Sequence, residues 1–145
     1  MLYYVRYDSL TGVPSSQRTV AFEKASVLFN IGSLYTQIGT RQDRNTATGL
    51  DSAVDNYLRS AGTFQYILEN FTNAPSMDLS PATLEMLVHL MCAQARECLF
   101  ERGELSMYEN GGEPNVDTCL SLGQEAAHVR IWIYELCSNL VSFIY

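Results

Sequence analysis

The sequence predicts a mainly α-helical fold: antiparallel helices stacked in a solenoid behind a short N-terminal strand. Three observations predict it. After Thr19, apolar residues recur at three- and four-residue steps along most of the chain. Short polar segments containing glycine or proline interrupt that period. The chain has 145 residues, 47% hydrophobic and 17% charged, which supplies one packed core and leaves room for one ordinary domain.

Residues 2–7 are aromatic and β-branched, and Asp8-Ser9 and Thr11-Gly12-Val13-Pro14 then break the run. This reads as one strand and a turn, with no second strand evident to pair with it. The first helix follows Thr19. Its stripe is Val20, Lys24, Val27, Leu28, Ile31, Leu34, Tyr35 and Ile38, with Lys24 the one polar residue on a face expected to be buried. Gly39 and the polar residues 41–46 end it. A second helix starts near residues 46–48 and carries Leu50, Ala53, Val54, Tyr57, Leu58, Ala61, Phe64, Ile67, Leu68 and Phe71, until Pro75 stops it. The third helix has Ser80 as N-cap and Pro81 in the first helical position. Its stripe is Leu84, Leu87, Val88, Met91, Ala95, Cys98 and Leu99, and Gly103 and the polar loop through Gly111-Gly112 and Pro114 are expected to close it. A fourth helix begins near Asp117, with Cys119, Leu122, Ala126, Val129, Ile133, Leu136 and Leu140 inward. Small residues such as Gly32, Ala53, Ala61 and Ala95 would let helix pairs approach closely. The spacing Leu28, Ile31, Gly32, Tyr35 and then Ala53, Tyr57, Ser60-Ala61 makes the solenoid tetratricopeptide-like.

Charge and motif content exclude several functions. Nine Lys plus Arg against 16 Asp plus Glu give a net charge of -7. That balance opposes nucleic-acid binding, which needs clustered cations to release counterions. It also opposes a tetratricopeptide module that grips peptide carboxylates. The apolar stretch 131–145 is short and contains Glu135, a poor fit to a membrane span. No C-x-x-C pair is present, and Cys92, Cys98, Cys119 and Cys137 read as reduced, buried thiols of a cytoplasmic chain. His89 and His128 lack an i, i+4 partner for a metal, and no phosphate-binding or nucleophile-elbow motif occurs. Glu97, Glu101 and Glu104 read as a solvated face with local ion pairs to Arg96 and Arg102. No catalytic residue, cofactor or metal is expected, so the remaining function is binding another protein.

The run Glu23-Lys24-Ala25-Ser26-Val27-Leu28-Phe29-Asn30-Ile31-Gly32-Ser33-Leu34 resembles the signature helix of the Bro domain family, which includes Alix and rhophilin. Supporting segments follow in the family's order: Tyr7-Asp8-Ser9, Ala61-Gly62-Thr63-Phe64, Asp78-Leu79-Ser80-Pro81 and Ala93-Gln94-Ala95-Arg96-Glu97. The turn at residues 7–14, the helix end at 35–41 and the segment 119–126 look most like the rhophilin branch. The resemblance implies a partial Bro domain over residues 1–129, its middle portion, and a divergent apolar tail over 130–145. It also implies a non-enzymatic adaptor in Rho GTPase signalling, with the Rho GTPase contact carried by segments outside this chain. In Alix-like members an apolar patch receives the amphipathic helix of an ESCRT-III subunit, which would place the protein peripherally at endosomes. The resemblance puts Leu99, Thr118 and Leu122 at that patch, with Thr118 where strong binders carry an apolar residue. A second reading makes the chain a truncated product without independent function, motivated by the unpaired strand and the apolar tail.

Overall fold

A computed structural model describes residues 4–71 and 75–110, together with Asp117, Leu120, Ser121, Gly123, Gln124, Ala127, His128, Arg130, Ile131, Tyr134 and Glu135. The elements run β1 (Tyr4–Tyr7), β2 (Pro14–Gln17), α1 (Val20–Thr40), α2 (Ala47–Asn70), a 3-10 turn (Met77–Leu79) and α3 (Pro81–Asn110). The fold is mainly α with a two-stranded hairpin.

The first correction to the sequence reading is the hairpin itself. β1 pairs antiparallel with β2 in the register Tyr4↔Gln17, Val5↔Ser16, Arg6↔Ser15 and Tyr7↔Pro14. The strand expected to be alone has its partner within the chain. Gly12, at φ 70, supplies the left-handed turn residue between the strands. The Pro-Ser-Ser-Gln strand is polar and weak in β propensity, so its sequence reads as turn.

Each helix starts on a hydroxyl cap. Thr19 accepts from the Phe22 N–H at 3.3 Å, and Thr46 accepts from the Gly49 N–H at 3.1 Å. Ser80 accepts from the Thr83 N–H at 3.4 Å, with Pro81 first in the helix as expected. α3 then runs through Gly103 to Asn110, past its expected end. An interior glycine costs a helix about 1 kcal/mol, and Leu105, packed against the core one half-turn on, offsets it.

α2 lies between α1 and α3, antiparallel to both. The α1–α2 approach is close because two glycines face rings. A Cβ on Gly32 would stand 2.9 Å from the Phe64 ring, and one on Gly39 would stand 3.2 Å from Tyr57. The Ser60 hydroxyl donates to the Gly32 carbonyl at 2.8 Å, and Thr36 meets Ser60 at 2.9 Å. Phe22, Phe29, Leu50, Phe64, Ile67 and Leu84 are among the buried core residues.

The second correction concerns α1. Its buried residues are Phe22, Ala25, Ser26, Phe29, Gly32 and Gly39. Most of the stripe expected inside faces out: Val20, Lys24, Val27, Ile31, Leu34 and Ile38 are exposed, whereas Leu28 and Tyr35 are half-buried, with Leu28 packed against the core. Small residues line the inner face because only they permit the short distance to α2. The large aliphatics that dominate the periodicity therefore mark the opposite side. In α2 the expected stripe is inside except for Leu58, which is 50% exposed.

Candidate functional site

Of the three residues that the family resemblance put at a binding patch, α3 carries Leu99. Leu84, Met91, Ala95 and Cys98 point into the core, and Leu99, the next residue after Cys98, turns outward with 45% of its surface exposed. One turn later Gly103 leaves open space, with nothing near the position a Cβ would occupy. Arg96, one turn earlier, is exposed. Leu99 and Gly103, at i and i+4, share one face of α3.

The charged residues along α3 make ion pairs with other segments. Arg44, from the α1–α2 loop, donates through Nε to Glu101 at 2.7 Å and makes a second bond to the other oxygen of that carboxylate. The Glu101 hydrogen bond pushes the Arg44 pKa further up. Arg130 pairs with Glu97, and Arg102 reaches Asp51 on α2 at 3.3 Å. The glutamates thus tie different elements together, where the sequence suggested local pairs with Arg96 and Arg102. Among the described residues from 117 to 135 all are helical, in keeping with the expected fourth helix, and a Cβ on Gly123 would stand 3.7 Å from the Phe100 ring.

Cys98 is fully buried, and that burial pushes its thiol pKa up, which makes it a poor nucleophile. His89 is half-buried on α3. Among the described residues no group of three or more His, Cys, Asp or Glu is placed to hold a metal. No described helix is long and apolar enough to cross a membrane.

A feature that sequence reasoning missed joins two of the quoted segments. Asp8, in the hairpin turn, accepts from the N–H groups of Leu10 and Thr11 at 2.9 Å and from the Asp78 N–H at 3.0 Å. Asp78, fully buried, pairs with Arg6 and accepts from the Ser9 N–H at 2.9 Å. Burial alone would raise the Asp8 pKa. The backbone donors outweigh it and hold the carboxyl down at about 2. The Arg6 guanidinium also lies 4.6 Å over the Phe29 ring. This clasp fixes the hairpin to the start of α3 and to α1. The recurrence of Asp-Ser and Asp-Leu-Ser in two segments was the available signal, and distance in sequence hid the contact.

Grooves among the described residues open elsewhere. One of about 310 Å³ is lined by Leu28, Tyr35, Arg59, Gly62, Thr63 and Tyr66, between α1 and α2. Another, about 380 Å³, lies between the hairpin turn and residues 75–77. Neither contains Leu99. Thr118 and Leu122 lie outside the described residues, so the structure brings neither of them to Leu99 or away from it.

The signature helix, the clasp and the α3 segment all fall within residues 3–119, the stretch that matches the BRO1-like domain. The chain belongs to the BRO1-like domain family. This BRO1-like chain is 52% identical to mouse rhophilin-2 over 128 residues, which is 88% of the chain and 18% of that protein. It is 52% identical to human rhophilin-1 over 128 residues, 88% of the chain and 19% of that protein. The chain thus spans about a fifth of the length of the rhophilins it matches. The ALIX BRO1 domain solved in complex with CHMP4C superposes on it with TM-score 0.81 at 27% identity, covering 94% of this chain and 40% of that one. A second ALIX structure, in complex with a viral late-domain peptide, gives TM-score 0.80 at 26% identity over 94% of this chain and 20% of that one.

Proposed function

We propose that this BRO1-like segment is a non-enzymatic binding module that takes an amphipathic helix on its α3 side. The observation that carries the reading is Leu99, a large aliphatic residue 45% exposed beside the Gly103 gap on α3. The likeness to the ALIX BRO1 domain, solved with CHMP4C, supports an ESCRT-III helix of that kind as the partner. The seat would be formed by Leu99, Thr118 and Leu122. Binding would follow the helix-in-groove mode, driven by burial of a few apolar side chains at roughly 25 cal/mol per Å². The Thr118 hydroxyl weakens that seat relative to an apolar residue.

The likeness to rhophilins supports a wider role as part of an adaptor in Rho GTPase signalling, cytoplasmic and peripheral at endosomes, with the GTPase engaged by other segments. The boundary at Val129, between domain and divergent tail, belongs to the same proposal. The alternative, a truncated product without its own function, loses one of its two motives, since the strand has its partner in β2. The test is calorimetric titration with a CHMP4C C-terminal helix peptide, repeated on Leu122→Asp. Saturable binding that Leu122→Asp abolishes is expected. Equal binding by the two proteins, or none by the unaltered chain, removes the reading.

A further inference from the structure

Every residue of α3 between Glu85 and Glu104 is buried or half-buried except Arg96 and Leu99. These two stand three residues apart, with Gly103 four further on, so all three share one face over about 10 Å of helix. The chain flanks that face from within: α2 packs against α3, and Arg130 pairs with Glu97 on another side. Arg96 has no carboxylate to hold. The positions three and four residues from it on α3 are Cys92, Ala93, Leu99 and Phe100, none of them acidic. Glu97 is adjacent in sequence but turned aside, toward Arg130. Glu101 holds Arg44, and Asp51 holds Arg102. Among the described residues Arg96 makes no ion pair.

We propose that Arg96 sets the charge of the helix seated at Leu99: the partner carries an aspartate or glutamate one turn from the aliphatic side chain that meets Leu99. This inference rests on the α3 reading above and names the chemistry of its partner. A helix lying over Leu99 also covers the Arg96 stem and strips water from the guanidinium. A carboxylate on that helix satisfies the fork with two parallel N–H···O bonds. A lysine in its place sets two like charges together in a partly dehydrated contact, which rejects a basic helix with the same apolar stripe. The preference runs against the chain's overall charge of -7, which draws cations from a distance. Salt screens that long-range field more than it screens a close pair.

Two amphipathic helical peptides with the same leucine stripe test this, one with glutamate and the other with lysine at the positions flanking the stripe. Each is titrated calorimetrically into the 145-residue chain near physiological ionic strength. The glutamate peptide should bind roughly 5-fold tighter than the lysine peptide. Arg96→Gln should erase that preference, weakening the glutamate peptide by roughly 5-fold and moving the lysine peptide by less than about 2-fold. Arg96→Glu should reverse the preference, and Arg96→Lys should keep part of it, with the charge present and the fork lost. All three variants should melt with the wild type, since Arg96 is exposed. If Leu99→Asp abolishes binding of both peptides while their affinity ratio stays the same in wild type, Arg96→Gln and Arg96→Glu, the proposal is overturned and the α3 reading stands. If neither peptide binds, or Leu99→Asp changes neither affinity, both fall.

Discussion

Replacing Gly32 by alanine should destabilise the fold, while the same change at Gly62 or Gly103 should stabilise it. All three glycines sit inside helices. Propensity alone favours alanine by about 1 kcal/mol at each. What differs is the space. A Cβ on Gly32 meets Phe64 Cε1 at 2.9 Å and Cζ at 3.0 Å, whereas nothing lies within 4 Å at Gly62 or Gly103. The ring has little freedom to retreat: Phe64 is 2% exposed and its centroid is 5.4 Å from that of Phe29. Overpacking of this kind costs about 1–3 kcal/mol, and any parting of the helices also stretches the 2.8 Å bond from Ser60 to the Gly32 carbonyl. Gly32→Ala should therefore lose about 1–2 kcal/mol net, and the other two should gain about 0.5–1 kcal/mol. At roughly 3 °C per kcal/mol, thermal denaturation followed by circular dichroism should separate Gly32→Ala from Gly62→Ala by about 5–9 °C. If Gly32→Ala melts as high as Gly62→Ala, the close α1–α2 approach is not what selects glycine, and the explanation for the inverted α1 face goes with it.

The clasp gives two more predictions. Asp78→Ala leaves Arg6 buried and unpaired and should cost about 3–5 kcal/mol in urea unfolding, far more than Asp55→Ala, which breaks an exposed pair. Asp8, held at about 2 in the folded state against an ordinary 3.8, adds stability that is complete above about pH 4 and fades as pH falls toward 2. Urea midpoints at pH 5, 4, 3 and 2.5 should show that loss, on the order of 1–2 kcal/mol, and Asp8→Asn should flatten it; a parallel decline in both proteins would assign the effect to other carboxylates. At the proposed seat, Thr118→Val should tighten CHMP4C-peptide binding by roughly 5-fold, because one hydroxyl no longer opposes an apolar contact. Unchanged or weaker binding would take Thr118 out of the seat.

Much of the architecture was legible in the residues. The change of period after Thr19, the polar run before residues 46–48 and the Ser80-Pro81 cap marked the starts of α1, α2 and α3, since a hydroxyl cap and a first-turn proline answer local backbone needs that require no tertiary context. The family and its rhophilin branch were legible from ordered segments. Three features were hidden for physical reasons. β2 is held by backbone pairing, so Pro14, Ser15, Ser16 and Gln17 need no strand-like side chains. α1 is apolar on both sides, and periodicity cannot tell which side faces α2 when the true contact is built from Ala25, Gly32 and Gly39. The clasp joins Asp8 to Asp78 across the whole of α1 and α2, a distance no local pattern spans. Of the expected binding residues, Leu99 is outward on α3, and Thr118 and Leu122 remain proposals.

The central claim is that this segment works by receiving a helix on its α3 side. Two-dimensional amide NMR of the labelled chain, titrated with a CHMP4C C-terminal helix peptide, addresses it directly. Shift changes are predicted to cluster around Arg96, Leu99 and Gly103 and in residues 117–124, to saturate, and to vanish in Leu99→Asp, a variant that should melt at nearly the wild-type temperature. Changes confined to the outer face of α1 around Val27 and Ile31, or spectra that do not move at all, would contradict it.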